Sequence, residues 1–397
     1  RTGDMAHRGA GGAVRLGQAI ATMRRGLAAA PADLWPILAM TAAWVLLLYG
    51  ATGGGALDPW VENWGRWDAH LYLRIWQEGY AADPALMAFP PGFPVLTGAL
   101  SSVTPLSFFG AGSVISLVSL VMAGTVLAAM VKRDFGVPGP LVFAFWLCGP
   151  AAYFALAPYS DLLFCVLLFS AWYWLTAPTL TRSERFMLII VLLLLPLIRI
   201  TGLALLALLL LRRWQALALL PGLGLFLWLN HQTAGNAFHF LAVQTAFLMP
   251  EGQLLDGLHR SSTGLSPVPP VEQVVPFLHW LQFNAVPMTQ LLLLGLTSLW
   301  LLWRRHWVLA VSLIAILLMS HNQAFWRSVV RYNLVLWPLV SLPVLCWIRS
   351  RLDRAETVSG FRHSVVIPAL CLGAVMMLSL MMQLRFAAVF HRGGWGF

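Results

Sequence analysis

The sequence predicts an all-α polytopic membrane protein, and three features carry that prediction. Hydrophobic residues make up 59% of the 397-residue chain and charged residues only 10%, well outside the composition of soluble domains. Apolar runs long enough to cross a hydrocarbon layer of about 30 Å recur from residue 34 to residue 384. Apart from Arg199, arginines gather at the ends of these runs rather than inside them, as expected where charge beside lipid is costly. With no water in the hydrocarbon to satisfy backbone amides, such runs must be helical.

In chain order, a basic arm over residues 1–33 carries Arg8, Arg15, Arg24 and Arg25 ahead of the first apolar run, 34–53. Its charge predicts a cytoplasmic location. Arg1–Asp4, ahead of Met5, are expected to be foreign to the fold, and the run at 34–53 is too long for the core of a cleavable signal. Spans are expected at about 107–131, 138–156, 162–178, 214–230, 286–303, 307–320, 332–348 and 364–384. The run 186–211 exceeds one crossing and is interrupted by Pro196, Arg199 and Gly202. Arg182 and Arg185 precede it, and Arg212 and Arg213 follow it. If both ends are cytoplasmic, the run crosses twice, as two short helices joined near Arg199.

This threading gives about eleven crossings in a single body over 34–384. It leaves a non-cytoplasmic tail over 385–397. It also puts 17 of the 25 Lys and Arg residues on the cytoplasmic side, as the positive-inside rule requires. The expected location is a multi-pass protein of a bacterial inner membrane. Two non-cytoplasmic loops, 54–106 and 231–285, are long, so chemistry is expected on that face. Each is expected to carry an interfacial helix, the first from Trp67 to Tyr80, with the prolines at 84, 90, 91 and 94 then closing regular structure in a stiff turn.

A net charge of +10 invites a nucleic-acid reading. The basic residues, however, are dispersed over short loops with no aromatic-interleaved surface, and nucleic acid is excluded as a partner. Cys148, Cys165, Cys346 and Cys371 all lie in apolar runs without ligand spacing and read as buried thiols.

The first long loop is unusually acidic. Asp58, Glu62, Asp68, Glu78 and Asp83, five of the fifteen carboxylates in the chain, lie in or just before the stretch from Arg66 to Pro94. Asp68 opens the expected interfacial helix and Asp161 opens a span, so capping is the plain reading of each. Two such caps at one membrane face would alternatively converge on one cleft. His70, His239 and His321 lack metal-ligand spacing, so neither a metal nor another cofactor is predicted, and a divalent ion is the less favoured reading. His239, Gln244 and His321 suit contacts to sugar hydroxyls or a carrier phosphate. Most aromatic residues belong to the belt and core, but Trp64, Trp67, Tyr72 and Trp326 are candidates to stack on a sugar ring.

These stretches, taken in order, resemble a known family. Arg66-Trp67-Asp68, then Tyr72, Gly79-Tyr80 and the run from Phe89 to Pro94, resemble the first luminal loop of PIG-V type mannosyltransferases, the GPI mannosyltransferase II family of the GT-C superfamily. Tyr159-Ser160-Asp161 is similar to that family's Tyr-Ser-Glu, and Arg199 to Gly202 to its Arg-x-x-Gly. Gly235 to Phe238 followed by Gln244, and Arg331-Tyr332 ahead of Pro338, match two later segments. The resemblance spans about residues 58–340. Asp161 in place of Glu, Ala69 where Ser is common and the Pro90-Pro91 pair are departures, and the GPI acceptor is not carried over.

The resemblance implies a GT-C bundle and a polyprenyl- or dolichyl-phosphate sugar as donor, with mannose the leading sugar. The residues suit such chemistry. Inverting transfer needs a carboxylate to take the acceptor hydroxyl's proton, a role for Asp68, with Asp161 as the second catalytic acid. The departing lipid phosphate needs fixed cations, roles for Arg199 and Arg331 with His239 beside them. Trp67, Tyr72, Tyr159, Gln244 and His321 complete the expected substrate contacts. The rival reading is a polytopic transporter or lipid flippase, in which broken helices with a buried Arg also occur, and a third is a non-catalytic subunit that keeps the fold.

Overall fold

A computed structural model describes residues 31–248, 285–323, 329–355 and 362–394, the side chains of 31, 245–248, 321–323, 354–355 and 362–365 excepted. Every regular element among the described residues is helical. Helix α1 (Pro31–Ala51) leads into three short helices, α2 (Leu57–Glu62), α3 (Asp68–Glu78) and α4 (Gly92–Val103), and then the long α5 (Phe108–Phe135). Next come α6 (Gly139–Leu147), α7 (Asp161–Leu175), α8 (Arg182–Ile198), a 3-10 helix over Ile200–Leu211, α9 (Leu219–Ala234) and α10 (His239–Leu248). The last described elements are α11 (Val286–Trp303), α12 (Trp307–Gln323), α13 (Val329–Asn333), α14 (Leu342–Ala355) and α15 (Arg362–His391).

Local signals explain the boundaries. Ser107 caps α5 by accepting from the Gly110 amide, Lys132 and Arg133 occupy its last turn, and Gly136 closes it in the left-handed conformation at φ 63°. Thr181 and Glu184 form a reciprocal capping box at the start of α8. Four helices are long and apolar enough to cross a membrane: Ala32–Ala51, Phe108–Phe135, Val286–Trp303 and Val366–His391. The last of these exposes Ile367, Leu370, Met377, Leu378 and Met381 on its outside, an apolar face that suits hydrocarbon rather than water. The chain is an integral membrane protein.

The body has two chemically distinct ends. At one, Lys132 pairs with Asp33 at 3.6 Å, Arg133 donates to the Tyr173 carbonyl at 2.8 Å, and Arg349 donates to the Gly136 carbonyl. The His306 ring lies 4.3 Å from that of Phe135 at the same end. At the other, His391 meets the Trp60 carbonyl at 3.0 Å and Arg199 meets Asp161. The chain shuttles between these ends, with α5, α7 and α11 running one way and α1, α8, α12 and α15 the other.

The run 186–211 is indeed two segments. Arg199 is extended at φ −150°, ψ 132° between α8 and the 3-10 helix, and Gly202 is packed so closely on Leu195 that a Cβ there would come within 2.9 Å of the Leu195 Cβ. The second segment is 3-10 rather than α. Twelve residues rising about 2.0 Å each reach about 24 Å, against about 18 Å for an α-helix.

Three expectations need correction. The span expected at 138–156 stops at Leu147 and continues as a short 3-10 turn, Ala152–Ala155, because Gly149-Pro150 interrupts it. The span expected at 332–348 is divided among α13, a 3-10 turn over Trp337–Ser341 that contains Pro338, and α14. The prolines of the first long loop do not end its regular structure. Pro94 falls in the first turn of α4, where a missing N–H leaves no intrahelical bond unmade. In the second long loop, α10 is described, whereas 249–284 lies outside the described residues.

Candidate active site

The site forms where α3, α7, α13 and the break at Arg199 meet. Trp67, the N-cap of α3, has φ 49° and ψ −112°, a strained conformation for an L-residue that costs about 1–3 kcal/mol. The Tyr159 hydroxyl pins this turn by donating to the Arg66 carbonyl at 2.9 Å. Its consequence is the placement of Asp68 as first residue of α3, with a side chain 21% exposed. One turn on, buried Tyr72 has its hydroxyl 3.2 Å from the Ser160 hydroxyl, and its ring packs against Phe89 and Phe93. Burial, reinforced by the negative charge of Asp68, pushes the Tyr72 phenol well above its ordinary range, so it remains a neutral hydrogen-bonding group.

Asp161 begins α7 and is wholly buried. Its Oδ1 lies 2.5 Å from Arg199 Nη1, and its Oδ2 lies 3.3 Å from Arg331 Nε. Arg331 Nη1 in turn lies 2.7 Å from Asp68 Oδ2. Four charges therefore alternate in sign, Asp68, Arg331, Asp161, Arg199, and neutralise one another at the mouth of the helical body. The contact between Arg331 Nε and Asp161 Oδ2 is an ion pair without hydrogen-bond alignment, because both atoms are buried and neither makes a hydrogen bond among the described residues. Aromatic faces complete the packing. The Arg331 guanidinium lies 4.5 Å from the ring centre of Tyr159 and 5.5 Å from that of Tyr332, and the Arg199 guanidinium lies 5.0 Å from Tyr332.

These groups border a cavity that opens to solvent and whose walls include Asp68, Tyr72, Ser160, Arg199, Gln244 and Arg331. Gln244, on α10, donates to the Ala88 carbonyl at 3.5 Å, while its Oε1 is buried with no partner among the described residues. The cavity thus combines one carboxylate with some solvent access, two guanidiniums and an unused amide acceptor. That combination can take up a proton, hold an anion and receive a hydroxyl donor.

Some expected site residues lie elsewhere. Asp161 is behind the arginines rather than on the cavity wall, and Tyr159 is buried beneath Arg331. Trp67 is 47% exposed and lies off the cavity. His239, at the start of α10, also lies off it. The side chain of His321 and the whole of Trp326 are outside the described residues. Four polar wall residues went unassigned from sequence: Ser160 and Tyr332, which flank recognised charged residues in the chain, Thr201, two residues past Arg199, and Ser320, which ends an apolar run with no signal of its own. Among the described residues, no cluster of His, Cys, Asp and Glu is arranged to hold a metal ion.

No protein-family model matches the chain, and no curated protein matches it. Among solved structures, the crystal structure of ArnT from Cupriavidus metallidurans bound to undecaprenyl phosphate is similar at 14% identity, over 90% of this chain and 77% of that one, with a TM-score of 0.44.

Proposed function

We propose that the protein is an inverting GT-C glycosyltransferase that moves mannose from a polyprenyl- or dolichyl-phosphate carrier to an acceptor hydroxyl at the non-cytoplasmic membrane face. One observation carries this reading: a carboxylate with solvent access and two guanidiniums share a single cavity at one end of the helical body. Asp68 takes the proton of the acceptor hydroxyl as that oxygen attacks the anomeric carbon. The bond from that carbon to the phosphate oxygen breaks, the configuration inverts, and the lipid phosphate leaves with the bonding pair. Fixed guanidinium charge favours its departure because it needs no reorganisation when the negative charge develops. The Gln244 Oε1 accepts a hydrogen bond from a sugar hydroxyl. The ion-paired cluster of Asp68, Asp161, Arg199 and Arg331 lies at one end rather than spread along the helices, which fits a surface reaction on a lipid carrier better than passage of a solute.

The test is direct. Purified protein in detergent is incubated with a panel of polyprenyl-phosphate sugars, mannose among them, and release of free sugar and polyprenyl phosphate is followed. Slow hydrolysis of one donor, absent with Asp68→Asn, is the expected result. No turnover or binding of any member of the panel would refute the proposal.

A further inference from the structure

Resting on the glycosyl-transfer reading above, we infer that the two arginines divide the work: Arg331 positions Asp68, with Asp161 as its buried counter-charge, and Arg199 alone meets the donor's phosphate. The environments of the two guanidiniums differ in kind. Arg331 is 4% exposed, with a carboxylate at Nη1 and another at Nε and a tyrosine ring against it. Arg331 also borders the cavity, but its Nη1 is taken by Asp68, so a phosphate oxygen at that nitrogen competes with the base the reaction requires. Arg199 is 11% exposed and engages one carboxylate oxygen through Nη1. Its Nε and Nη2 make no hydrogen bond among the described residues, and the residue borders the cavity from an extended joint between two helical segments.

A guanidinium is a planar fork, and those two nitrogens form the edge that takes an oxyanion bidentately. Asp161 holds Nη1 from behind and leaves that edge available. Arg331 meanwhile engages Oδ2 of Asp68, so the carboxylate is held by one oxygen and has the other for the acceptor's proton. Arg331 is thus a positioning residue, acting through Asp68.

The experiment separates binding from turnover. Undecaprenyl phosphate, without sugar, is titrated onto detergent-solubilised full-length protein, and the transfer rate and donor KM are measured in parallel. Arg199→Gln should weaken undecaprenyl phosphate binding by about 30-fold or more. Arg331→Lys should leave that binding within about threefold of wild type while lowering kcat by about 10²-fold or more, because one ammonium cannot hold both carboxylates. Arg331→Gln leaves Asp161 paired with Arg199 at 2.5 Å, so that variant supplies a second measurement with the same expected split. Loss of undecaprenyl phosphate binding in the Arg331 variants equal to that in Arg199→Gln would overturn the division of labour and leave the glycosyl-transfer reading standing. Failure of the wild-type protein to bind undecaprenyl phosphate would end both.

Discussion

Asp68 faces two demands that ordinarily conflict, because it must be held rigidly and yet remain open to a substrate proton. Its partial exposure and its single guanidinium partner reconcile them, and Asp68→Asn tests the outcome. The amide preserves size and the helix start, so folding should be retained, while transfer should fall by about 10²–10⁴-fold. Thermal unfolding in detergent together with the initial transfer rate checks both halves of that prediction. Asp161→Asn should behave differently. Asp161 is fully buried between two guanidiniums, and removing one member of a buried ionic set leaves uncompensated charge at a cost of about 3–5 kcal/mol. A large fall in unfolding midpoint is therefore expected, where Asp68→Asn shows little. Equal thermal stability of the two variants would mean that Asp161 is no structural clamp. Both carboxylates were visible in sequence as acids at helix starts. Their difference in burial was not, because it depends on how α7 and α13 close over one of them and not the other.

At the scale of the element, the joint at Arg199 shows what sequence can and cannot reveal. Pro196, Arg199 and Gly202, with basic pairs at both ends of the run, were enough to locate the break. The 3-10 form of the second segment was not legible, since Ile200–Leu211 has the composition of an apolar α-helix and the choice between the two is made by the distance the returning chain must cover. In the first long loop, Pro90, Pro91 and Pro94 suggested a turn, whereas a helix begins at Gly92. Proline is compatible with a helix in its first turn, and position alone separates the two cases. The joint also makes a prediction. Gly202 has no room for a side chain against Leu195, so Gly202→Val should force the two segments apart, cost about 1–3 kcal/mol and move Arg199 off the cavity wall. Undecaprenyl phosphate binding should weaken along with the melting point. Gly224→Ala, on α9 where an added Cβ meets nothing within 4 Å, is the control and should leave both nearly unchanged. Full lipid-phosphate binding in Gly202→Val would separate the joint's geometry from the site.

For the whole molecule, the polarity of the two ends follows from simple physics. Each traverse reverses direction, so alternate loops and the basic residues in them collect at one end. The structure brings Lys132, Arg133 and Arg349 together at one end and Asp68, Asp161, Arg199 and Arg331 at the other, as the pattern of basic loops implied. What the pattern could not convey is that several traverses, 138–156 and 332–348 among them, are discontinuous. The segments broken at Gly149-Pro150 and Pro338 bring the rings of Phe154 and Tyr332 to the Arg331 guanidinium, at 5.8 and 5.5 Å. If the positive-inside rule governs insertion, the end bearing Arg133 and Arg349 faces the cytoplasm and the cavity opens away from it. Single cysteines in a background lacking Cys148, Cys165, Cys346 and Cys371 test this orientation. Ser183→Cys, exposed at the basic end, and Gln77→Cys, exposed on α3 at the other, should react oppositely with a membrane-impermeant maleimide. In right-side-out vesicles the cysteine at 77 should label and that at 183 should not, and inverted vesicles should exchange the two results. The reverse pattern would put the cavity on the cytoplasmic side, where a donor would have to present its sugar to the opposite leaflet, and the proposed direction of transfer would fail with it.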